Sequence, residues 1–95
     1  MCNQTLNITK VSFSSFTGKS VRSSYNQTSN MLTVYAKTKI LCLSYCNEFL
    51  NCQIVVYNLP NYQSYNCFLY KNPLNFSVGV VNSPGTTLFK KICQY

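Results

Sequence analysis

The sequence has no histidine and a single acidic residue, Glu48, among its 95 residues. Serine-histidine-aspartate and cysteine-histidine catalysis both need a histidine, and glycoside hydrolysis by paired carboxylates needs two acids. Only three glycines are present, and they form no glycine-rich phosphate loop. These absences predict a protein that is not an enzyme and that needs no cofactor.

Charged residues are also scarce, at 9% of the chain against about 25% in typical domains. Eight Lys and Arg residues nevertheless leave a net charge of +7. They are scattered, and only Lys37/Lys39 and Lys90/Lys91 lie close together in sequence. A basic excess favours anionic partners, whereas scattered and solvated charge favours none, and both interpretations stay open. Because no basic stripe forms, we expect no nucleic-acid partner.

Long apolar runs are missing as well. None approaches the roughly 18 residues of a membrane-spanning helix, so we expect no membrane span. The opening segment MCNQTLNITK lacks the apolar core of a signal peptide. We therefore expect the chain to be either a mature protein or a module excised from a longer one.

Cysteine is the residue that the sequence has in abundance, with six copies. A domain of this length buries only about two-thirds of its unfolded surface, and disulfides commonly supply the missing stability. The spacing Cys42-x3-Cys46-x5-Cys52, without a histidine, matches neither a zinc site nor a Cys-x-x-Cys redox pair. We therefore predict that all six cysteines form disulfides and that no metal is bound.

Four Asn-x-Ser/Thr sequons indicate the same compartment as the cysteines do. They begin at Asn3, Asn7, Asn26 and Asn75. Together with six cysteines they indicate passage through a secretory pathway, so we predict a secreted, N-glycosylated protein. The chain is rich in asparagine and some sequons arise by chance, so the use of each site stays open.

Hydrophobic periodicity predicts one α-helix and about five strands, an α+β domain that spans residues 1–95. The helix is expected from Thr38 to Leu50, with Thr38 as its N-cap and Asn51 as its stop. Strands are expected at 31–37, 53–58, 67–71 and 86–95, with one or two more before Asn30. The segment 72–85 is typical of a loop or irregular strand that ends in a Pro-Gly turn.

The positions of the cysteines favour one disulfide pattern among many. Two cysteines flank the end of the predicted helix, one on the helix can reach the next strand, and two near the chain ends can tie those ends together. The favoured set is Cys46–Cys52, Cys42–Cys67 and Cys2–Cys93. Other pairings stay open on this reasoning alone.

The stretch CLSYCNEFLNCQIVVYN (42–58), followed by CFLYK (67–71), resembles the core of a PAN/apple domain. The segment GTTLFKKI (85–92) resembles the closing strand of many invertebrate members. The resemblance implies a five-stranded antiparallel sheet cradling one α-helix, with the bridges Cys42–Cys67 and Cys46–Cys52 and the extra bridge Cys2–Cys93.

PAN/apple members are extracellular modules in plasminogen-like growth factors, coagulation zymogens and parasite adhesins. They bind proteins or carbohydrates and are not themselves enzymes. The family has no invariant ligand-binding motif, so the resemblance assigns no binding residue to this chain. It implies only a non-enzymatic interaction or adhesion module.

Eight tyrosines and no tryptophan are present. Those on the predicted helix and strands, namely Tyr35, Tyr45, Tyr57 and Tyr70, are expected to fill the edge of a small core. Tyr62 and Tyr65 lie instead in the predicted loop PNYQSYN. Exposed tyrosine beside asparagine and glutamine suits contact with sugars or proteins, so we predict a contact loop there.

Two functions fit these features. The first is an extracellular module that binds a protein or a glycan, with acidic glycans favoured by the basic charge. The second is a structural glycoprotein subunit that self-assembles into a homo-oligomer or fibre. Few charges leave little protection against pairing between exposed strand edges, which is why the second function stays open.

Overall fold

The computed structural model of the chain describes residues 10–59 and 65–94, which form a five-stranded antiparallel sheet and two α-helices. The elements in chain order are β1 (Lys10–Val21), α1 (Ser23–Ser29), β2 (Asn30–Val34), α2 (Lys39–Glu48), β3 (Ile54–Asn58), β4 (Cys67–Tyr70) and β5 (Val80–Gln94). The α+β class and the antiparallel sheet that the sequence predicts are confirmed. Neither helix in the described ranges has the length and apolar content needed to cross a membrane.

The strand order β1-β5-β3-β4-β2 puts β3 at the centre of the sheet. Val55 and Tyr57 pack into a core on one face, and Ile54 and Val56 pack into a core on the other. Burial on both faces explains why β3 has consecutive apolar residues rather than an alternating pattern. The sheet is therefore covered on both sides.

Helix α2 covers the first face and begins where the sequence predicts. The side chain of Thr38 accepts a hydrogen bond from the Leu41 N–H at 3.1 Å, so Thr38 is confirmed as the N-cap. The helix ends at Glu48, before the predicted stop at Asn51, because Phe49 has an extended backbone. Lys91 of β5 stabilises this C-terminal end, because its ammonium donates hydrogen bonds to the carbonyls of Cys46 and Phe49 at 3.1 Å each.

Two disulfides tie α2 to the rest of the fold, one to β4 and one to the segment that precedes β3. Cys42 pairs with Cys67 across a Cα–Cα distance of 5.7 Å, and Cys46 pairs with Cys52 across 5.4 Å. All four residues are fully buried, and their bonded sulfurs are not thiolates that a metal could use. The sequence predicts three disulfides, and the described cysteine side chains form two. The expected Cys2–Cys93 bridge lies outside the described side chains, because Cys2 is not described and only the backbone of Cys93 is.

The sequence predicts one helix, and the structure corrects this by adding α1. The segment SSYNQTS lacks helical apolar periodicity, and Arg22 at its N-cap position makes no side-chain capping bond. Tertiary contacts hold it instead: the Tyr25 ring packs against the Tyr70 ring at 5.2 Å, and the Tyr25 hydroxyl donates to the Asn72 carbonyl. Helix α1 and the segment 72–79 cover the second face of the sheet.

Strand β5 also differs from the prediction, because it begins at Val80 rather than at residue 86. Pro84 and Gly85 lie in a bulge within the strand instead of ending it. The pairing with β1 shifts there from Thr17↔Thr87 to Lys19↔Asn82. Gly85 has φ +85°, a left-handed conformation that glycine adopts without steric cost.

The half-buried phenol of Tyr25 and the buried phenol of Tyr70 predict a loss of stability at alkaline pH. Burial raises the pKa of Tyr70 to about 12, and burial followed by the charge of Tyr70 raises the pKa of Tyr25. Above the ordinary pKa of 10.0 the unfolded chain releases these protons while the folded chain keeps them. The free energy of unfolding should therefore hold up to pH 10 and fall as the pH rises towards 12, as measured by urea titration.

A double variant, Tyr25→Phe with Tyr70→Phe, checks which groups cause this loss. It lacks both hydroxyls, so its free energy of unfolding should change less over the same alkaline range than that of the wild type. An equally steep decline in the double variant would assign the effect to other groups.

Candidate functional site

A cavity of about 310 Å3 opens on the face of the sheet that α1 covers, and we call it cavity 1. Every strand except β2, together with α1, contributes to its wall. The lining residues are Ser20, Val21, Ser23, Asn26, Val56, Asn58, Phe68, Tyr70, Ser83 and Thr86. Within the described part of the chain the lining consists of hydroxyls, amides and apolar side chains, without a charged group.

A chain of hydrogen bonds fixes one wall of cavity 1. The Ser83 hydroxyl donates to Thr86 Oγ1 at 3.0 Å, and the Thr86 hydroxyl donates to Asn58 Oδ1 at 2.6 Å. Because this bond engages the Asn58 carboxamide oxygen, the amide nitrogen is the group left to donate to a ligand. Ser83 and Thr86 belong to the β5 bulge, so the irregular strand itself builds this wall.

A second part of the wall is formed by Asn26 of α1 and Tyr70 of β4. The Tyr70 hydroxyl donates to Asn26 Oδ1 at 2.8 Å, and Tyr70 is only 2% exposed. A phenol is protonated at neutral pH, and burial raises the pKa of Tyr70 further, to about 12. Both parts of the wall are thus made of neutral, oriented hydrogen-bonding groups, and the half-buried Phe68 adds an apolar surface.

A second cavity of about 220 Å3, cavity 2, lies between β3, β5 and the segment 72–79. Its lining comprises Gln53, Ile54, Pro73, Leu74, Phe76, Lys90 and Lys91. The amide nitrogen of Gln53 is buried and has no hydrogen-bond partner among the described residues. The Lys90 ammonium sits 5.7 Å from the centroid of the Phe76 ring. A buried donor beside the Lys90 ammonium is suited to an anionic group, whereas the Lys91 ammonium is already bonded to the α2 carbonyls.

The predicted contact loop is described only in part. Tyr65 is 66% exposed, while Tyr62 lies outside the described residues. Tyr65 lines neither cavity. It lies beside the buried Asn66, whose side chain bonds to the backbone of Ala36 and Asn58. Tyr35 and Leu59, which adjoin Ala36 and Asn58 in sequence, are also exposed.

Two of the four sequons fall on described residues, and both asparagines are exposed. Asn26 is on α1 at the wall of cavity 1. Asn75 lies in the segment 72–79, where its Oδ1 accepts a hydrogen bond from the Ser77 N–H at 2.9 Å. Asn3 and Asn7 lie outside the described residues.

Sequence reasoning missed both cavities, because their residues come from segments far apart in the chain. Ser20 and Ser83 are ordinary in a serine-rich sequence. Two residues did carry a signal: Asn58 and Thr86 are polar positions at the ends of apolar strand segments. Their pairing across β3 and β5 depends on the strand order, which the sequence pattern does not specify.

Comparison of the chain with protein-family models, with curated proteins and with solved structures finds no match. The two cavities and the surface around them are therefore the features of the molecule that indicate a function.

Proposed function

We propose that this protein is an extracellular, non-enzymatic recognition module that binds a saccharide in cavity 1. The observation that carries the proposal is the lining of that cavity, with its neutral hydroxyls and amides and its aromatic side chains. Saccharides present many hydroxyls and an apolar ring face, so they are matched by such groups held in fixed orientations. The hydrogen bonds of Asn58 and Asn26 supply that fixation.

An acidic saccharide is the favoured class of ligand. Cavity 2 offers the Lys90 ammonium and the Gln53 amide, which has no partner among the described residues, for a sulfate or carboxylate group. The chain has one acidic residue, Glu48, and it does not line the cavity. The net charge of +7 favours an anionic ligand over a neutral one at longer range.

The extracellular setting is supported by the covalent structure. Two buried disulfides indicate that the chain folds in an oxidising compartment. Secretion is our inference from these disulfides and from the exposure of Asn26 and Asn75. Membership of the PAN/apple family is likewise proposed, and it is supported by a helix that carries bridges to Cys67 and Cys52 beside a five-stranded antiparallel sheet.

Removal of one amide from cavity 1 should weaken saccharide binding. We expect Asn58→Ala to lower affinity about tenfold, since a lost donor in a partly buried site costs about 1–3 kcal/mol. The probes are N-acetylglucosamine, galactose and mannose, each with a sulfated derivative, titrated by NMR. The protein is oxidised and produced without N-glycans, so that no attached sugar competes with the probes.

Asn82→Ala is the matched control, because Asn82 is exposed on β5 and does not line cavity 1. It should bind the probes as the wild type does. If no probe shifts the resonances of cavity 1, or if the two variants lose affinity equally, saccharide recognition at this cavity is wrong.

Self-assembly is the second candidate, and the exposed apolar residues favour it. Ile40 and Leu59 are each 76% exposed and Tyr65 is 66% exposed. The described sheet also ends in two edge strands, β1 and β2. Light scattering on the titrated sample separates the two functions. A mass near 10.8 kDa favours recognition, and a large or filamentous species favours assembly.

A further inference from the structure

The sequon at Asn26 coincides with the wall of cavity 1. Asn26 is exposed on α1, and its carboxamide is among the groups that line the cavity. Thr28, which completes the sequon, is exposed and donates a hydrogen bond to the Ser24 carbonyl at 3.0 Å. A sugar attached at this position therefore starts at the rim of the cavity.

The hydrogen bonds of Asn26 are compatible with glycosylation. Its Oδ1 accepts from the Tyr70 hydroxyl at 2.8 Å, whereas Nδ2, the atom that carries an N-glycan, makes no hydrogen bond to a described residue. Glycosylation joins carbon 1 of N-acetylglucosamine to Nδ2 and releases a proton and the diphosphate-linked lipid that carried the sugar. The contact with Tyr70 is kept, so the attached sugar starts from a fixed amide.

A tethered sugar has an advantage over a dissolved one. Attachment through a short linker gives an effective concentration on the order of millimolar. A cavity of about 310 Å3 is at the small end of ligand sites, and its contacts are neutral hydrogen bonds. Such contacts contribute only about 0.5–1.5 kcal/mol each, so a dissolved monosaccharide binds weakly and is displaced by the tethered one.

We propose that the first N-acetylglucosamine of a glycan on Asn26 occupies cavity 1 and blocks it, so that modification of this sequon controls binding of external saccharides. The proposal rests on the saccharide specificity of cavity 1 proposed above. Only the molecules in which Asn26 is unmodified then bind external saccharides. In the modified fraction, the protein's own glycan inhibits it.

Two substitutions at Thr28 separate the glycan from the cavity wall. Thr28→Ala removes the sequon but keeps Asn26, and Thr28→Ser keeps the sequon. Both are secreted from a glycosylating host and titrated with N-acetylglucosamine by NMR. We expect Thr28→Ala to bind N-acetylglucosamine about tenfold more tightly than Thr28→Ser does. This ratio applies when the effective concentration of the tethered sugar is about ten times its dissociation constant. Ser77→Ala, which removes the sequon of Asn75, should behave as Thr28→Ser does.

A second measurement does not depend on external ligand. In Thr28→Ser, the acetyl methyl protons of the attached sugar should show nuclear Overhauser effects to the rings of Phe68 and Tyr70. Their absence, or mass spectrometry showing Asn26 unmodified, overturns the proposal. Equal binding by the two Thr28 variants also overturns it and leaves saccharide recognition standing. If the Overhauser effects appear but Thr28→Ala binds no free sugar, the attached glycan does occupy cavity 1, and the proposed binding of external saccharides is wrong.

Discussion

Asn66→Ala should destabilise the folded protein by about 3–5 kcal/mol. The Asn66 carboxamide accepts from the Ala36 N–H at 2.7 Å and donates to the carbonyls of Ala36 and Asn58 at 2.8 and 3.2 Å. Ala36 is fully buried and Asn66 is 1% exposed, so water does not replace these bonds. Each buried backbone group left unpaired costs about 1–3 kcal/mol, and at least two are left. The free energy of unfolding in urea measures the loss.

Asn72→Ala is the matched control for Asn66→Ala. Asn72 is exposed, and its side chain makes one described hydrogen bond, to Ser29 Oγ at 2.8 Å. The same chemical change should cost less than about 1 kcal/mol there. A similar loss in both variants would mean that the Asn66 bonds are not what joins β2, β3 and β4 at this end of the sheet.

Loss of the Cys42–Cys67 bridge should cost about 3.5 kcal/mol. The bridge spans a sequence separation of 25, and the chain-entropy relation gives about that value for such a loop. Alanine at both positions is the appropriate change, because both half-cystines are fully buried and a serine hydroxyl would be left without a partner. Urea unfolding should also give a larger m-value, since the unfolded chain is less constrained.

The Cys46–Cys52 bridge provides the comparison. Its sequence separation is 6, and the same relation gives about 2.4 kcal/mol. Its loss by double alanine substitution should therefore cost less than loss of Cys42–Cys67, although both remove two buried sulfurs. The reverse order would show that loop closure does not govern how these bridges stabilise the fold.

The parts of the fold that the sequence predicts well are those with strong local signals. Thr38 caps α2 as predicted, and the β-branched run around Val55 marks the central strand. Helix α1 escaped prediction because its stability comes from the Tyr25–Tyr70 contact, which joins residues distant in sequence. The early start of β5 was not predicted, because Pro84-Gly85 has the composition of a turn but forms a bulge in the pairing of β5 with β1.

The candidate site was less predictable than the fold. Tyr65 is exposed, as its loop composition suggests, yet it lines neither cavity. Cavity 1 exists because β1, β3 and β5 bring Ser20, Asn58 and Thr86 together. Strand order and the register at the bulge determine that these residues lie together, and neither follows from hydrophobic periodicity. The role of Lys91 was equally unpredictable, since no local sequence feature indicates that it bonds to the α2 carbonyls.

The pairing of β1 with β5 also sets the order of events during synthesis. Strand β1 pairs with no other described strand, and its register runs from Lys10↔Gln94 to Val21↔Val80. At roughly 5–20 residues per second, the ribosome needs roughly 3–12 s to make the 59 residues (80 − 21) from Val21 to Val80. Throughout that interval Asn26, which follows β1 closely, belongs to a nascent chain without its sheet. Ser83 and Thr86, the wall residues that β5 contributes, are made last, so a sugar attached to the nascent chain, as we propose for Asn26, precedes the completed wall of cavity 1.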